Sequence, residues 1–276
     1  MAFKGCSNLV KINIPSSVDE VCDHDTFYGT SLKELHLHEN ILYLSGRAFN
    51  GLPEGINITI DESNPKFLAD GQAILEKDGA RIIRLYAKTS SYEIKDGTVT
   101  IDCYAFAECK ELQSVTIPEG VLTIGEWAFA YCDNLETVVI PNTVKEMEYS
   151  AFCECINLKS ITIPNTLTEI SENVFYGCTN LIGVVIPQGV TKIGASAFHS
   201  CVSLTNIVIP ESVTYIDWGA FKDCTGLTSI TILSSVTKID HSAFAGCTGL
   251  KEITVSSENL LEEVKLPEGV KVNIAS

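Results

Sequence analysis

The chain has 276 residues, 45% of them hydrophobic, with 19 Lys and Arg against 35 Asp and Glu, a formal charge of −16 at neutral pH. That balance excludes a nucleic-acid surface, which needs clustered cations to displace phosphate counterions, and fits a soluble, self-repelling exterior. No apolar run approaches the roughly 20 residues that span a bilayer, and no secretory leader opens the chain.

Self-similarity is the first signal along the sequence. Phe3, Phe27 and Phe49 open three irregular units at spacings of 24 and 22, over residues 1–60. Departures gather here: Gly55 stands where the strand leucine is expected, and Asp61 where a proline is expected. The chain begins inside a unit, and solenoids ordinarily carry a polar cap. It is therefore expected to continue upstream, with any signal or anchor outside this segment.

Residues 61–96 break the period. Asn64-Pro65 starts a turn, and the apolar runs Ala73 to Leu75 and Arg81 to Leu85 flank Lys77-Asp78-Gly79. Asp-Gly between apolar runs predicts a hairpin, which Tyr92 to Ile94 returns to the array.

From 97 to 255 the period is strict. Phe106, Phe129, Phe152, Phe175, Phe198, Phe221 and Phe244 recur every 23 residues. Each is followed at three by a cysteine (Cys109 through Cys247) and at six by a leucine (Leu112 through Leu250). Two aliphatics and usually a proline follow, as in Val115, Ile117, Pro118; Leu233 takes the proline's place once. The unit reads A-F-x-x-C-x-x-L-x-x-[IV]-x-[IV]-P-x-x-V-x-x-I. Its alternating part predicts a short parallel strand with one inward face, which proline terminates. Ala-Phe, Cys at three and Leu at six have roughly helical spacing, which predicts a short helical or 3-10 turn. Residues 256–276 lose the Ala-Phe and read as a degenerate capping turn. The expected architecture is an α/β solenoid, a right-handed superhelix of about ten 23-residue turns with an inserted β-hairpin, forming one domain over residues 1–276.

This unit resembles the BspA-type, or Treponema-type, leucine-rich repeat. The insert, N-P-K-F…D-G…K-D-G…Y-x-I-x-D-G-T, is similar to a hairpin of the same family. The resemblance covers about residues 1–255 and implies a secreted or surface protein of a host-associated organism, with adhesion to matrix proteins or cells as its activity. It supplies no catalytic residues.

Eight of the eleven cysteines share one column: Cys6, Cys109, Cys132, Cys155, Cys178, Cys201, Cys224 and Cys247. Parallel stacked side chains are poorly aimed for bridges, so buried thiols acting as small apolar fillers are the preferred reading. Cys22, Cys103 and Cys153 lie off the column, and Cys153-x-Cys155 lacks the further ligands of a zinc site. Cys22-Asp23-His24-Asp25 reads as solvated turn residues rather than a nucleophile with its base. His36 and His38, alternating on one strand, make half a metal site at most. His199 and His241 occupy variable positions. No phosphate loop, G-x-S-x-G or calcium nonapeptide is present, so no enzyme, cofactor or metal is expected.

Two surfaces are candidates for binding. The residues between the paired aliphatics point outward from the strands: Thr116, Val139, Thr162, Val185, Val208, Thr231 and Thr254. Tyr149 and Trp218 share a second column three turns apart, with Trp127 one column over, a separation on the order of 15 Å that keeps them from forming one patch. The function expected is a non-enzymatic cell-surface or secreted interaction module that binds a protein or glycan. The alternatives are an intracellular scaffold or spacer, and a glycan-binding appendage of a larger protein.

Overall fold

The computed structural model describes residues 2–262 and 264–275, which wind into a β-solenoid of about eleven turns with almost no helix. The L-x-x-[IV]-x-[IV] segments line up in one direction as the inner sheet, in parallel pieces of two, four and three strands. Ser114–Thr116, Thr137–Val139 and Ser160–Thr162 pair in a register of 23, with Val115 beside Val138 and Val138 beside Ile161. Each strand alternates exposed, buried, exposed. At the next two turns the ladder thins to bridges from Val185 to Val208 and from Val208 to Thr231. Gly183 and Asn206, both poor strand residues, replace the hydroxyl residues of that column there. A second sheet takes two residues per turn in two parallel pieces, Thr100–Ile101 to Glu146–Met147 and Glu169–Ile170 to Lys238–Ile239. Two residues show no periodicity, so the repeat's V-x-x-I pattern did not predict it.

The corner that carries Ala-Phe is not helical, which corrects the expected helical turns and the α/β class. Among the described residues the only helices are 3-10 turns at Gly46–Phe49 and Glu258–Leu261. The reason is a left-handed residue on each side of the phenylalanine. Tyr104 and Glu108, Trp127 and Tyr131, and Ser150 and Glu154 all have φ between 56° and 59°, which an α-helix cannot accommodate. Backbone donors then alternate in direction. Tyr104, Phe106 and Glu108 donate to the next turn, to the carbonyls of Glu126, Ala128 and Ala130 at 2.7–2.9 Å. Ala105, Ala107 and Cys109 donate three residues back within their own turn. The corner is a third ladder, with three-residue cysteine spacing but no helix.

Inside, the phenylalanine rings form a spine. Phe106 through Phe244 stack turn on turn at centroid distances of 4.7–6.1 Å, and Phe3, Phe27 and Phe49 form a shorter stack. Burying each ring contributes roughly 1.5–3 kcal/mol. The column thiols are more than fillers. Cys132, Cys155, Cys178, Cys201, Cys224 and Cys247 each donate to the phenylalanine carbonyl of the turn before, with S···O distances of 2.9–3.2 Å. That carbonyl also accepts the backbone N–H of its own turn's cysteine, as Phe106 does from Cys109. Both of its lone pairs are used, and cysteine supplies a compact donor where an aliphatic would leave one orphaned. Burial pushes these thiols up, Cys247 to about 12.

The insert is a three-stranded antiparallel meander of Phe67–Ala69, Ala73–Glu76 and Arg81–Leu85. Its last strand pairs in parallel with Thr100–Ile101, and Ser91–Glu93 rejoins the inner sheet beside Ser114–Thr116. Both faces are buried. Ala73, Leu75, Ile82 and Leu85 join the core of the later turns, while Phe67, Ile74, Ile83 and Tyr86 join that of the first three. The meander is thus a partition between two cores, and it interrupts the phenylalanine spine between Phe49 and Phe106. Asn64, fully buried, fixes its entry: its amide donates to the Ile41 carbonyl at 2.8 Å and accepts from Phe67 N at 2.8 Å. Asp70 fixes the first bend by accepting from Ala73 N at 2.8 Å and Lys95 Nζ at 2.8 Å.

Two outcomes follow from these contacts. Cys178→Ala removes a buried sulfur and leaves the Phe152 carbonyl with one donor. Urea unfolding should show a loss of about 1–3 kcal/mol, and the column thiols of the native protein should resist a thiol reagent that labels exposed Cys6. Burial alone would raise the Asp70 carboxyl, but hydrogen bonds from Lys95, Ala73 and Gln72 outweigh it and hold it below its ordinary 3.8. A carboxyl lowered on folding stabilises the protein above its unfolded value, and that contribution fades as pH falls through the lowered one. Asp70→Asn should therefore cost about 1 kcal/mol at neutral pH and flatten the stability profile below about pH 4, as read by denaturation across pH.

Candidate functional site

The inner sheet presents its outward column to solvent without cover. Val139, Val185 and Val208 are 70%, 82% and 75% exposed, and Thr116, Thr162 and Thr231 are exposed between them. Thr254 is only half-buried; it pairs beside Asn273 of the closing strand Lys271–Ile274. The neighbouring column of Ser114, Thr137, Ser160, Asn206, Ser229 and Glu252 is exposed as well. Ile182, also exposed, lies near Val185, and the ion pair between Lys159 and Glu136 at 2.8 Å borders this region. The strip is flat, β-branched and weakly polar, with its most apolar stretch at Val185 and Val208, where the backbone pairing is thinnest.

The corner carries the aromatic residues, and here the expected separation is corrected. Trp127 and Tyr149 meet edge to face at 5.8 Å. Trp127 also stacks on Tyr104 at 6.1 Å and on Tyr131 at 6.2 Å. The chain of rings extends to His24, whose Nε2 lies 2.9 Å from the Tyr104 hydroxyl. Only Trp218 stands apart, under Lys222 with its Nζ 6.0 Å from the ring. Left-handed positions one turn apart bring Tyr104 beside Trp127, and the second such position of the same turn adds Tyr131.

The reactive-looking residues have structural partners. Asp25 is buried, not solvated, and holds Lys4 Nζ at 2.5 Å and Asn50 Nδ2 at 2.9 Å. Burial raises the Cys22 thiol, and likewise that of Cys103, whose Sγ lies 3.2 Å from Ser45 Oγ. That is the opposite of an activated nucleophile. His36 and His38 do not share a face: His36 is exposed beside Thr59 and Asp61, whereas His38 is buried with Nε2 at 3.0 Å from the Pro15 carbonyl. Among the described residues no three His, Cys, Asp or Glu are grouped to hold a metal ion. No helix there is long and apolar enough to cross a membrane. Glu148 is raised by burial and by Glu126 and Glu146, the mark of crowded carboxylates on this side of the corner.

Comparison with known proteins follows the same lines. A sequence model described as the BspA type leucine rich repeat region matches residues 1–69, 85–201 and 168–265, in 6 copies, and skips 70–84, where the meander's second and third strands lie. No curated protein matches the chain. The structure of a leucine-rich repeat protein from Eubacterium ventriosum is similar, with a TM-score of 0.71 and 24% identity, over 80% of this chain and 60% of that one. The pneumococcal vaccine antigen PcpA is similar at a TM-score of 0.56 and 19% identity, over 92% and 58%. A leucine-rich repeat protein from Bacteroides ovatus is similar at 0.50 and 20%, over 75% and 69%. The chain thus spans about 60% of the length of the first of these proteins.

Proposed function

The chain belongs to the BspA-type leucine-rich-repeat family, and from that premise we propose that it is a non-enzymatic interaction module, secreted or held at a cell surface, that binds a host or partner protein through its inner sheet. The observation that carries this reading is the uncovered ladder of Thr116, Val139, Thr162, Val185, Val208 and Thr231, which half-buried Thr254 ends. Proteins bury β-branched strand faces when they can, and three valines at least 70% exposed on one flat strip leave apolar area for a partner to cover. Stacked turns give that strip an extended surface without mobile loops, so little ordering entropy opposes association. An overall charge of −16 favours partners with a basic face and quickens their encounter.

Free cysteines might be taken to favour a reducing compartment and an intracellular scaffold. The six buried thiols of the column weaken that objection to a surface role. The thiols of Cys132, Cys155, Cys178, Cys201, Cys224 and Cys247 are buried, hydrogen-bonded and raised in pKa, and so offer an oxidant neither access nor thiolate, whereas Cys6 stays exposed.

The test is solid-phase binding of the purified chain to a panel of extracellular-matrix proteins, comparing wild type with the double variant Val185→Glu, Val208→Glu. Both side chains are exposed, so Tm should hold within the small change typical of surface substitutions. Affinity for the bound protein should fall at least tenfold, about 1.4 kcal/mol. Binding that is unaffected by the two charges would remove the inner sheet from the interface, and no binding across the panel would remove adhesion.

A further inference from the structure

A cleft of about 580 Å³ opens on the corner side, away from the inner sheet. It lies where the insert interrupts the corner ladder. Leu85 stands at the phenylalanine's place in that turn and donates to the Ala105 carbonyl as a phenylalanine would. Yet among residues 80–96 none has positive φ, so the looped corner of the regular turns is missing. Residues of the insert line none of the gap. One wall is Tyr28 with Asp25 and Asn50, and the other is Tyr104, Trp127 and Tyr131.

Two features show that the rings are placed rather than accidental. Tyr104, Trp127 and Tyr131 occupy the left-handed corner positions, with φ of 58°, 56° and 59°. Later turns fill those same columns with Ser150, Asn173, Ser196 and Gly219, and with Glu154, Gly177, Ser200, Asp223 and Gly246, none of them aromatic. A bulky ring is the least favoured occupant of such a position, and three of them fall beside this one gap. Across the cleft, Tyr28 lies flat on Gly51, where an added Cβ would meet its ring at 2.3 Å. Glycine there leaves room for the ring.

The charges select the ligand. Lys4 is paired with Asp25 and sits 5.3 Å above the Tyr28 ring, so the cation–π position that would hold a ligand ammonium is already filled. Lys110 is paired with Asp133 at 3.3 Å, so among the described residues both lysines that line the cleft already hold a carboxylate. What remains is the exposed part of the Tyr28 and Tyr131 rings, the Asn50 side-chain oxygen, whose amide nitrogen Asp25 already holds, and the Glu108 carboxylate, which forms no ion pair among the described residues. Ring faces that take apolar C–H surfaces, rimmed by an amide and a carboxylate that take hydroxyls, match a neutral sugar. The volume falls within the range of ligand sites, roughly 300–1,000 Å³, and the open shape admits a chain rather than a single enclosed ring. We infer that this cleft is a binding site for a neutral oligosaccharide, separate from the inner sheet.

The experiment is a printed array of neutral hexose and N-acetylhexosamine oligosaccharides, followed by titration of the strongest hit. The protein has two tryptophans, so Trp218→Phe makes the emission report Trp127 alone. Binding with a change in Trp127 emission is expected. Tyr28→Ala and Tyr131→Ala, both at half-exposed rings, should weaken it at least tenfold with unchanged circular dichroism and Tm. Gly51→Ala, which displaces Tyr28, should weaken it as well. The pair Val185→Glu, Val208→Glu should leave it intact, so this site and the inner-sheet reading can fail separately. No array signal above background overturns the inference. So does a hit indifferent to both tyrosine variants, or a Trp127 response to choline chloride or inorganic phosphate that exceeds the response to every glycan.

Discussion

The structure depends on one constraint: each residue of a regular turn must face its counterpart 23 residues on, so that backbone groups on all three sides find partners in the adjacent turn. The inner sheet and the second sheet meet this with parallel ladders. The corner meets it with left-handed residues that turn every other N–H toward the next turn. An α-helix at that corner would have consumed those donors internally and left neighbouring turns joined there by side chains alone. The phenylalanine carbonyl is where the constraint is tightest, since it lies in the core and accepts from two directions. Cysteine answers it with a donor small enough to share the space between stacked rings.

Much of this was legible in the sequence, because the residues that repeat are the ones that are buried. Phenylalanine, leucine and the alternating aliphatics mark the core, and proline marks the end of the inner strand. The corner was not legible in the same way. Ala-Phe-x-x-Cys-x-x-Leu has the spacing of a helix face, and spacing cannot distinguish a helix from a three-residue turn with left-handed neighbours. A signal was nonetheless present: two residues on either side of the phenylalanine, Asn173, Gly177, Gly219, Asp223 and Gly246 are types that enter the left-handed region most readily. Reading the insert as a hairpin captured its turns but not its two buried faces, since Ala-Ile-Leu and Arg-Ile-Ile-Arg-Leu carry no alternation to separate one core from the other.

The candidate surfaces differ in how far sequence could reach them. The inner ladder follows from strand alternation alone, so Thr116 to Thr231 could be placed on an open face before any coordinates. The aromatic cluster could not. Tyr104, Trp127 and Tyr131 meet through left-handed positions of adjacent turns, and Tyr28 lines the same cleft from beyond the inserted turn that lacks a corner. Left-handed backbone costs a side-chain-bearing residue about 1–2 kcal/mol, and at several later positions glycine, asparagine or aspartate moderates that cost. Rings at Tyr104, Trp127 and Tyr131 therefore mark a local departure from what the fold itself favours, and such departures are where function is sought.

The solenoid also determines how these surfaces relate. Each turn touches only its neighbours, so stability and strain are passed on turn by turn rather than through a shared core. The cleft draws on turns up to Tyr131, and the most apolar stretch of the inner ladder lies at Val185 and Val208, with two full turns between. Those intervening turns hold the strict register of Phe152 and Phe175, with rings stacked at 6.1 Å and no insertion or bulge. A rigid, regular segment of that kind has one arrangement, and coupling needs an element with two. Occupancy at one surface should accordingly leave affinity at the other unchanged. Linking two independent sites on one stiff scaffold raises overall attachment through effective concentration wherever a target offers both ligands within reach.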